Sequence, residues 1–191
     1  MIINFRQFEG KKKHIDGVRK TIFDGPNNGT YVMHFKDNIY QDTLVAGKGV
    51  INNRISELLF SRLKEVGIAN HFVKRLNMRE QLIQRVEPIP FKVVIYNAII
   101  DELADRLSVE ESFNLCQTIP EFILNTPKKS SINEYHILAM DWASEEELDS
   151  IKIISRRIND FLSGQFLAIG MRLLSISLEF GRIYHDDISQ L

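Results

Sequence analysis

With 191 residues, 44% of them hydrophobic and 26% charged, the chain is long enough to bury a core of its own, as one large domain or two small lobes. Its 24 Lys and Arg against 25 Asp and Glu leave a net charge of -1, which excludes an overall field that draws the protein onto nucleic acid or an anionic membrane. No apolar run approaches the roughly 20 residues of a membrane helix, MIINFRQFEG lacks the apolar centre of a signal peptide, and the lone Cys116 can form no internal disulfide or zinc site, so the expectation is a cytoplasmic globular protein with no nucleic-acid or membrane partner.

In chain order, the lysine run Lys11 to Lys13 reads as a solvated charge cluster or a phosphate contact. Thr21 to Phe23 and Tyr31 to Lys36 are short β-branched and aromatic runs, and DGPNNG between them is a turn signal, so a hairpin is expected. From Val50, Ile51, Ile55, Leu58, Leu59, Leu63 and Val66 recur at steps of three and four before Gly67, which predicts an amphipathic helix with a glycine stop. His71 to Val73 and Gln81 to Val86 read as strands. EPIP (Glu87 to Pro90) reads as a rigid joint and the lobe boundary, giving lobes 1–87 and 88–191.

Beyond the joint, Phe91 to Ile100 predicts a buried strand, Glu102 to Leu107 a short helix, and Thr126 to Asn133 a loop. A long helix is expected from Ser144, whose side chain can cap it while Glu147 completes a capping box; Leu148, Ile151, Ile154, Ile158, Phe161 and Leu162 form its apolar face. Met171 to Gly181 alternates, with Leu174, Ile176, Leu178 and Phe180 on one face and Ser175, Ser177 and Glu179 on the other. The order of elements predicts an α+β protein of antiparallel sheets with packed helices.

Several constellations bear on chemistry. Gly47-Lys48-Gly49 stands directly before a helix, where free N–H groups and the dipole favour an anion, although GKG is not a Walker loop and a plain glycine turn is the competing reading. Asn52 and Asn53 sit early in that helix, where asparagine usually makes specific hydrogen bonds. Glu179 is a metal ligand or an exposed strand carboxylate. The five histidines fall singly, without ligand spacing, and no hydrolase, zincin or dinucleotide motif is present.

Between Gly47 and Pro90, the runs GKG, NNRIS, HF and RLNMREQLI resemble SAICAR synthetase of the bacterial type, and GPNNGT, FKD, NEYHI, WASEEELD, INDFLSGQF and LEFGR extend the resemblance over nearly the whole chain. The resemblance implies a two-lobed α+β fold and a ligase that uses ATP and magnesium to join aspartate to the carboxylate of CAIR through an acyl phosphate. It further implies small-molecule nucleotide ligands, homo-oligomers, Lys20, Lys48 and Glu179 at ATP, Glu179 at magnesium, and Asn52, Asn53 and Arg106 in the substrate pocket.

Departures from the family pattern cluster in the implied pocket. Counting back from Gly25-Pro26 aligns the family's glycine-lysine-x-lysine loop with Gly17-Val18-Arg19-Lys20, so one lysine is retained. The strand glutamate and arginine are here Lys92 and Tyr96, the small-Gly-Ser turn is Ile100-Asp101-Glu102, and D-x-K-x-E-F-G becomes Ser175 to Gly181 with Glu179 kept. The sequence also ends before the family's D-E-I-S-P-D segment, which by resemblance carries a second metal carboxylate. Two expectations follow: a degenerate member with catalysis weakened or lost, favoured by an intact core beside changed pocket positions, or a working enzyme that recruits Lys11, Lys13, Lys128 and Lys129.

Overall fold

The computed structural model describes residues 13–40, 43–113 and 115–183, with the backbone alone for residues 101 and 102. The chain divides into two units, Met1–Val86 with Ile183–Leu191, and Glu87–Arg182. Lys11, Lys12 and His185 lie outside the described residues.

The first unit contains β1 (Lys13–Asp16), β2 (Lys20–Asp24), β3 (Thr30–Phe35), β4 (Asn38–Tyr40), β5 (Thr43–Leu44), α1 (Lys48–Glu65), β6 (Phe72–Arg75) and β7 (Glu80–Gln84). Five of these strands form an antiparallel sheet in the order β1-β2-β3-β7-β6, and β4 and β5 pair by themselves. The expected hairpin is β2–β3. Its turn closes through the Gly25 N–H on the Thr30 carbonyl at 3.0 Å. A Cβ at Gly25 would stand 2.5 Å from that same oxygen, so the approach requires glycine. Phe23 faces Val32, and Val32 faces Leu82, so the register stacks three buried side chains across the sheet.

Helix α1 forms where the periodicity places it, but it turns a different side to the sheet. Of the six apolar positions expected to face the core, Leu63 is buried, whereas Ile51, Ile55, Leu58 and Val66 are exposed. Polar anchors select the packed side. Asn53, wholly buried, donates through Nδ2 to the carbonyls of Asn77 (3.0 Å) and Glu80 (3.4 Å), and Gln81 Nε2 donates to Ser56 Oγ at 3.2 Å. Those bonds satisfy groups that are costly to leave unpaired, and they fix the rotation of the helix about its axis. The helix stops as expected at Gly67, which adopts φ 76 while the Ile68 N–H bonds the Leu63 carbonyl at 2.9 Å.

The second unit is built from β8 (Val86–Tyr96), α2 (Asp101–Leu107), β9 (Ile119–Leu124), β10 (Ser131–Ile132), α3 (Glu134–Ala139), α4 (Glu145–Leu167) and β11 (Ser175–Ile183), with the sheet order β10-β9-β8-β11. EPIP, expected as a joint, is the extended start of β8: proline's fixed φ suits a strand, and the pairing of β8 with β9 runs from Phe91, beyond it. The expected loop at 126–133 likewise yields the short β10, paired to β9.

The buried face of this sheet meets α4. Ile89, Phe91, Val93 and Ile95 of β8 pack with Ile137, Leu148 and Ile151, and Ile176 and Phe180 of β11 join the same cluster. The expected start of α4 holds, since Ser144 Oγ accepts from the Glu147 N–H at 3.2 Å and Glu147 Oε2 accepts from the Ser144 N–H at 2.9 Å; of its expected apolar face, Leu148, Ile151, Ile158 and Leu162 are buried and Ile154 and Phe161 half-buried. A second capping box, in which His136 plays the part Glu147 plays in α4, opens α3 from Asn133.

Candidate functional site

Gly17, Val18 and Arg19 form the turn between β1 and β2, with Lys20 opening β2. The Gly17 N–H bonds the Lys20 carbonyl at 3.0 Å, and Lys36, the residue after β3, straps the turn by donating to the Gly17 carbonyl (2.8 Å) and to Asp16 Oδ1. Asp16 also accepts from Thr21 Oγ1 at 2.8 Å and pairs with Lys13 at 3.1 Å. The Lys36 ammonium, then Thr21 and Lys13, hold the Asp16 carboxyl far below the usual carboxylate range. Lys36 and Lys13 are therefore engaged internally. Val18 and Lys20 are exposed at the turn, and Arg19 Nε donates to the Ile39 carbonyl at 3.3 Å.

The N-terminus of α1 already holds an anion, and it belongs to the chain. Asp37 accepts from the Gly47 N–H (3.3 Å) and the Gly49 N–H (2.8 Å), and Arg79 grips the same carboxylate through both terminal nitrogens at 2.7 and 2.8 Å. Arg79, then the Gly49 N–H, drives the Asp37 carboxyl well below its ordinary value. Gly47 sits at φ 83, and a Cβ at Gly49 would fall 2.4 Å from the Phe35 carbonyl oxygen. The two glycines thus serve this internal contact. Lys48 donates to the Asn38 carbonyl at 3.2 Å, and Asp37 is the anion that this helix terminus holds within the chain.

Asn52 is half-buried on α1, whereas Asn53 fastens the scaffold through Nδ2 to the Asn77 and Glu80 carbonyls, as described, and its buried Oδ1 has no hydrogen-bond partner. Glu80, itself buried, accepts from Asn77 Nδ2 at 2.6 Å and lies 3.9 Å from His34. Burial pushes the His34 imidazole down. His71 stacks edge-on to Phe60 at 4.7 Å; burial, and then the Lys20 ammonium, pushes it down to about 4, so it is neutral near pH 7.

In the second unit, alternation separates the strand faces cleanly. Opposite the core lie Lys92, Val94 and Tyr96 of β8, and Ser175, Ser177 and Glu179 of β11, the neighbouring strand. Val94 faces Glu121 of β9, which places that carboxylate on the same open face. Arg106 reaches it from α2, Nη2 to Oε2 at 2.6 Å. The open face therefore combines one ammonium, a phenol, two hydroxyls and two carboxylates, with Arg106 held by Glu121. Periodicity disclosed the strand face, but the Arg106–Glu121 and Arg79–Asp37 pairs join residues 15 and 42 apart, and no local signal discloses such partners.

Lys20, Lys48, Asn52 and Asn53 belong to the first unit, and Arg106 and Glu179 to the second. Lys128 and Lys129 lie in the exposed turn between β9 and β10, with Lys129 at φ 47. Among the described residues no group of three His, Cys, Asp or Glu could hold a metal ion, and no helix is long and apolar enough to cross a membrane.

Comparison with known proteins agrees with this fold. The SAICAR synthetase family model matches residues 13–189. Phosphoribosylaminoimidazole-succinocarboxamide synthase A of Bradyrhizobium diazoefficiens is 41% identical over 191 residues, covering 95% of this chain and 74% of the relative. The synthase of Acidiphilium cryptum is 44% identical, covering 93% and 72%. A crystal structure of the synthase from Ehrlichia chaffeensis superposes with a TM-score of 0.87 at 34% identity over 93% of this chain and 78% of its own. A SAICAR synthetase in complex with ADP superposes at 0.82 with 25% identity, covering 89% and 75%.

Proposed function

The chain belongs to the SAICAR synthetase family of purine biosynthesis, and on that premise we propose that it binds a nucleotide and magnesium in the family's manner while its ligase chemistry is weakened. The observation that carries this reading is the open face of β8 and β11. The implied glutamate and arginine are Lys92 and Tyr96, the implied aspartate and lysine are Ser175 and Ser177, and Arg106 is committed to Glu121. Two charge-assisted contacts to substrate are lost by these exchanges, at about 1.5–3 kcal/mol each.

Nucleotide binding draws support from the related structure that holds ADP and from Lys20 and Glu179, both exposed. Magnesium typically takes one or two carboxylates and completes its shell with phosphate oxygens and water, so Glu179 fits as one protein ligand even without an acidic cluster. The ion would neutralise phosphate charge at the transferring group. Lys20 would pair with phosphate from the β1–β2 turn, Lys92 would offer its ammonium to an anionic group on the substrate, and Tyr96 a neutral hydrogen bond in place of a guanidinium fork.

Calorimetry with Mg-ATP and with CAIR, beside a turnover assay for SAICAR, tests the reading. Expected are Mg-ATP binding that weakens in Glu179→Gln, and CAIR-dependent turnover reduced about 10²- to 10⁴-fold against the Bradyrhizobium relative. Turnover equal to that relative overturns it. A working synthetase is the second reading, favoured by relatives at 41–44% identity that carry the enzyme's name over 93–95% of this chain. It predicts high turnover that collapses in Lys92→Ala.

A further inference from the structure

The register between β8 and β11 singles out one pair on the open face of the second unit. At one end of the two strands the Asn97 N–H donates to the Leu174 carbonyl at 2.8 Å, and at the other Ile89 lines the same cavity as Phe180 and Arg182. The strands therefore run antiparallel, and stepping five residues back from Asn97 and five forward from Leu174 sets Lys92 opposite Glu179. The core face agrees with this register: Ile95 falls opposite Ile176 and Phe91 opposite Phe180, and all four pack in one cluster. Since the bond from Asn97 marks a hydrogen-bonded pair, Lys92 and Glu179 form one of the alternate pairs, whose side chains stand closest. Their Cβ atoms are then about 4.5–5.5 Å apart.

The family pattern has a glutamate at position 92, and two facing carboxylates repel unless a cation stands between them. In this chain the cation is covalently attached. An ammonium on a flexible four-carbon stem spans the gap to the opposite strand, so a positive charge is available at Glu179 whether or not an ion is bound there. Glu179 is exposed and Lys92 half-buried, so both can meet a ligand lying on the open face. The ammonium has three donors, enough for the carboxylate and for phosphate oxygens at once. We infer that Lys92 takes over part of the metal's charge by bridging Glu179 and a nucleotide phosphate, so that this chain binds ATP without requiring magnesium. The inference rests on the nucleotide reading above and narrows it to a metal-independent mode. Lys92 also repels a divalent ion at Glu179, which accords with weakened ligase chemistry.

Titration calorimetry of the full chain with ATP, once in excess magnesium and once in EDTA, tests this. Expected are dissociation constants within about fivefold of one another. Lys92→Met keeps the stem and removes the charge, so it should lose about 10- to 100-fold in EDTA, the worth of one charge-assisted bond, and far less in magnesium, where the ion supplies the charge. Lys92→Arg should retain the affinity in EDTA, and Lys92→Glu, which restores the facing carboxylate, should make magnesium indispensable. Near-UV circular dichroism separates a folding defect from a lost contact, and the Arg variant shows whether any substitution at this position suffices to disturb the site. ATP binding that is present in magnesium and lost in EDTA overturns the inference and leaves the nucleotide reading standing, as does an EDTA affinity unchanged in Lys92→Met. Absence of binding under both conditions overturns the nucleotide reading and the inference together.

Discussion

Helices α1 and α4 show the same three-and-four spacing of aliphatic residues, yet they use it differently. In α4 the stripe is the core face: Leu148, Ile151, Ile158 and Leu162 are buried, and Leu148 and Ile151 meet Phe91, Val93 and Ile95. In α1 the stripe faces outward, and the helix is attached by polar bonds from Asn53, by Ser56 to Gln81, and by Asp37 with Arg79 at its N-terminus. Periodicity establishes that a helix has a side to cover. What covers that side depends on partners distant in sequence.

The difference predicts an ordered series of effects on stability. Leu148→Ala in α4 should cost about 3–4 kcal/mol in chemical denaturation, because a fully packed site leaves a cavity. Asn53→Ala in α1 should cost about 2–3 kcal/mol by the same measurement, since it strands the Asn77 and Glu80 carbonyls; a cost under 1 kcal/mol would dissolve the contrast between the helices.

His71 supplies a pH test specific to the first unit. Its folded pKa, about 4, lies below the ordinary 6.5, so the unfolded chain binds the extra proton first and stability falls as pH drops from 6.5 through 4. The shift corresponds to about 3 kcal/mol at most, and solvent at the half-buried ring reduces the expected loss to about 2. The slope between those pH values should flatten in His71→Leu when melts are repeated across the range. Smallest of all, Ile55→Thr on the α1 stripe should change the stability of the dilute protein by less than about 0.5 kcal/mol.

Local signals carried much of the fold. DGPNNG dictates its hairpin because only glycine allows the approach to Thr30, and Ser144 with Glu147 marks the start of α4 within one turn. The elements not foreseen are those whose support is not local. The strand Ile119–Leu124 contains a proline and is defined by its pairing with Phe91 to Tyr96, and Ser131–Ile132 exists as a strand through its own pairing with Ile123 and Phe122. The candidate site divides in the same way. Alternation was enough to put Lys92 and Tyr96 on one face. That Asp37 fills the α1 terminus and Glu121 holds Arg106 follows from tertiary contacts.

Glu147 joins a helix cap to a strand. Its carboxylate caps α4 through the Ser144 N–H and receives Nε and Nη2 of Arg182 on β11 at 2.6 and 2.9 Å, while Arg182 also donates to the Trp142 carbonyl at 3.0 Å. Arg182, then the Ser144 N–H, draws the Glu147 carboxyl down to about 2. One proton added near that pH releases both attachments together. In native-state hydrogen exchange the amides at the start of α4 and those near Arg182 should then lose protection as a single opening unit, with the same midpoint, although they lie far apart along the chain.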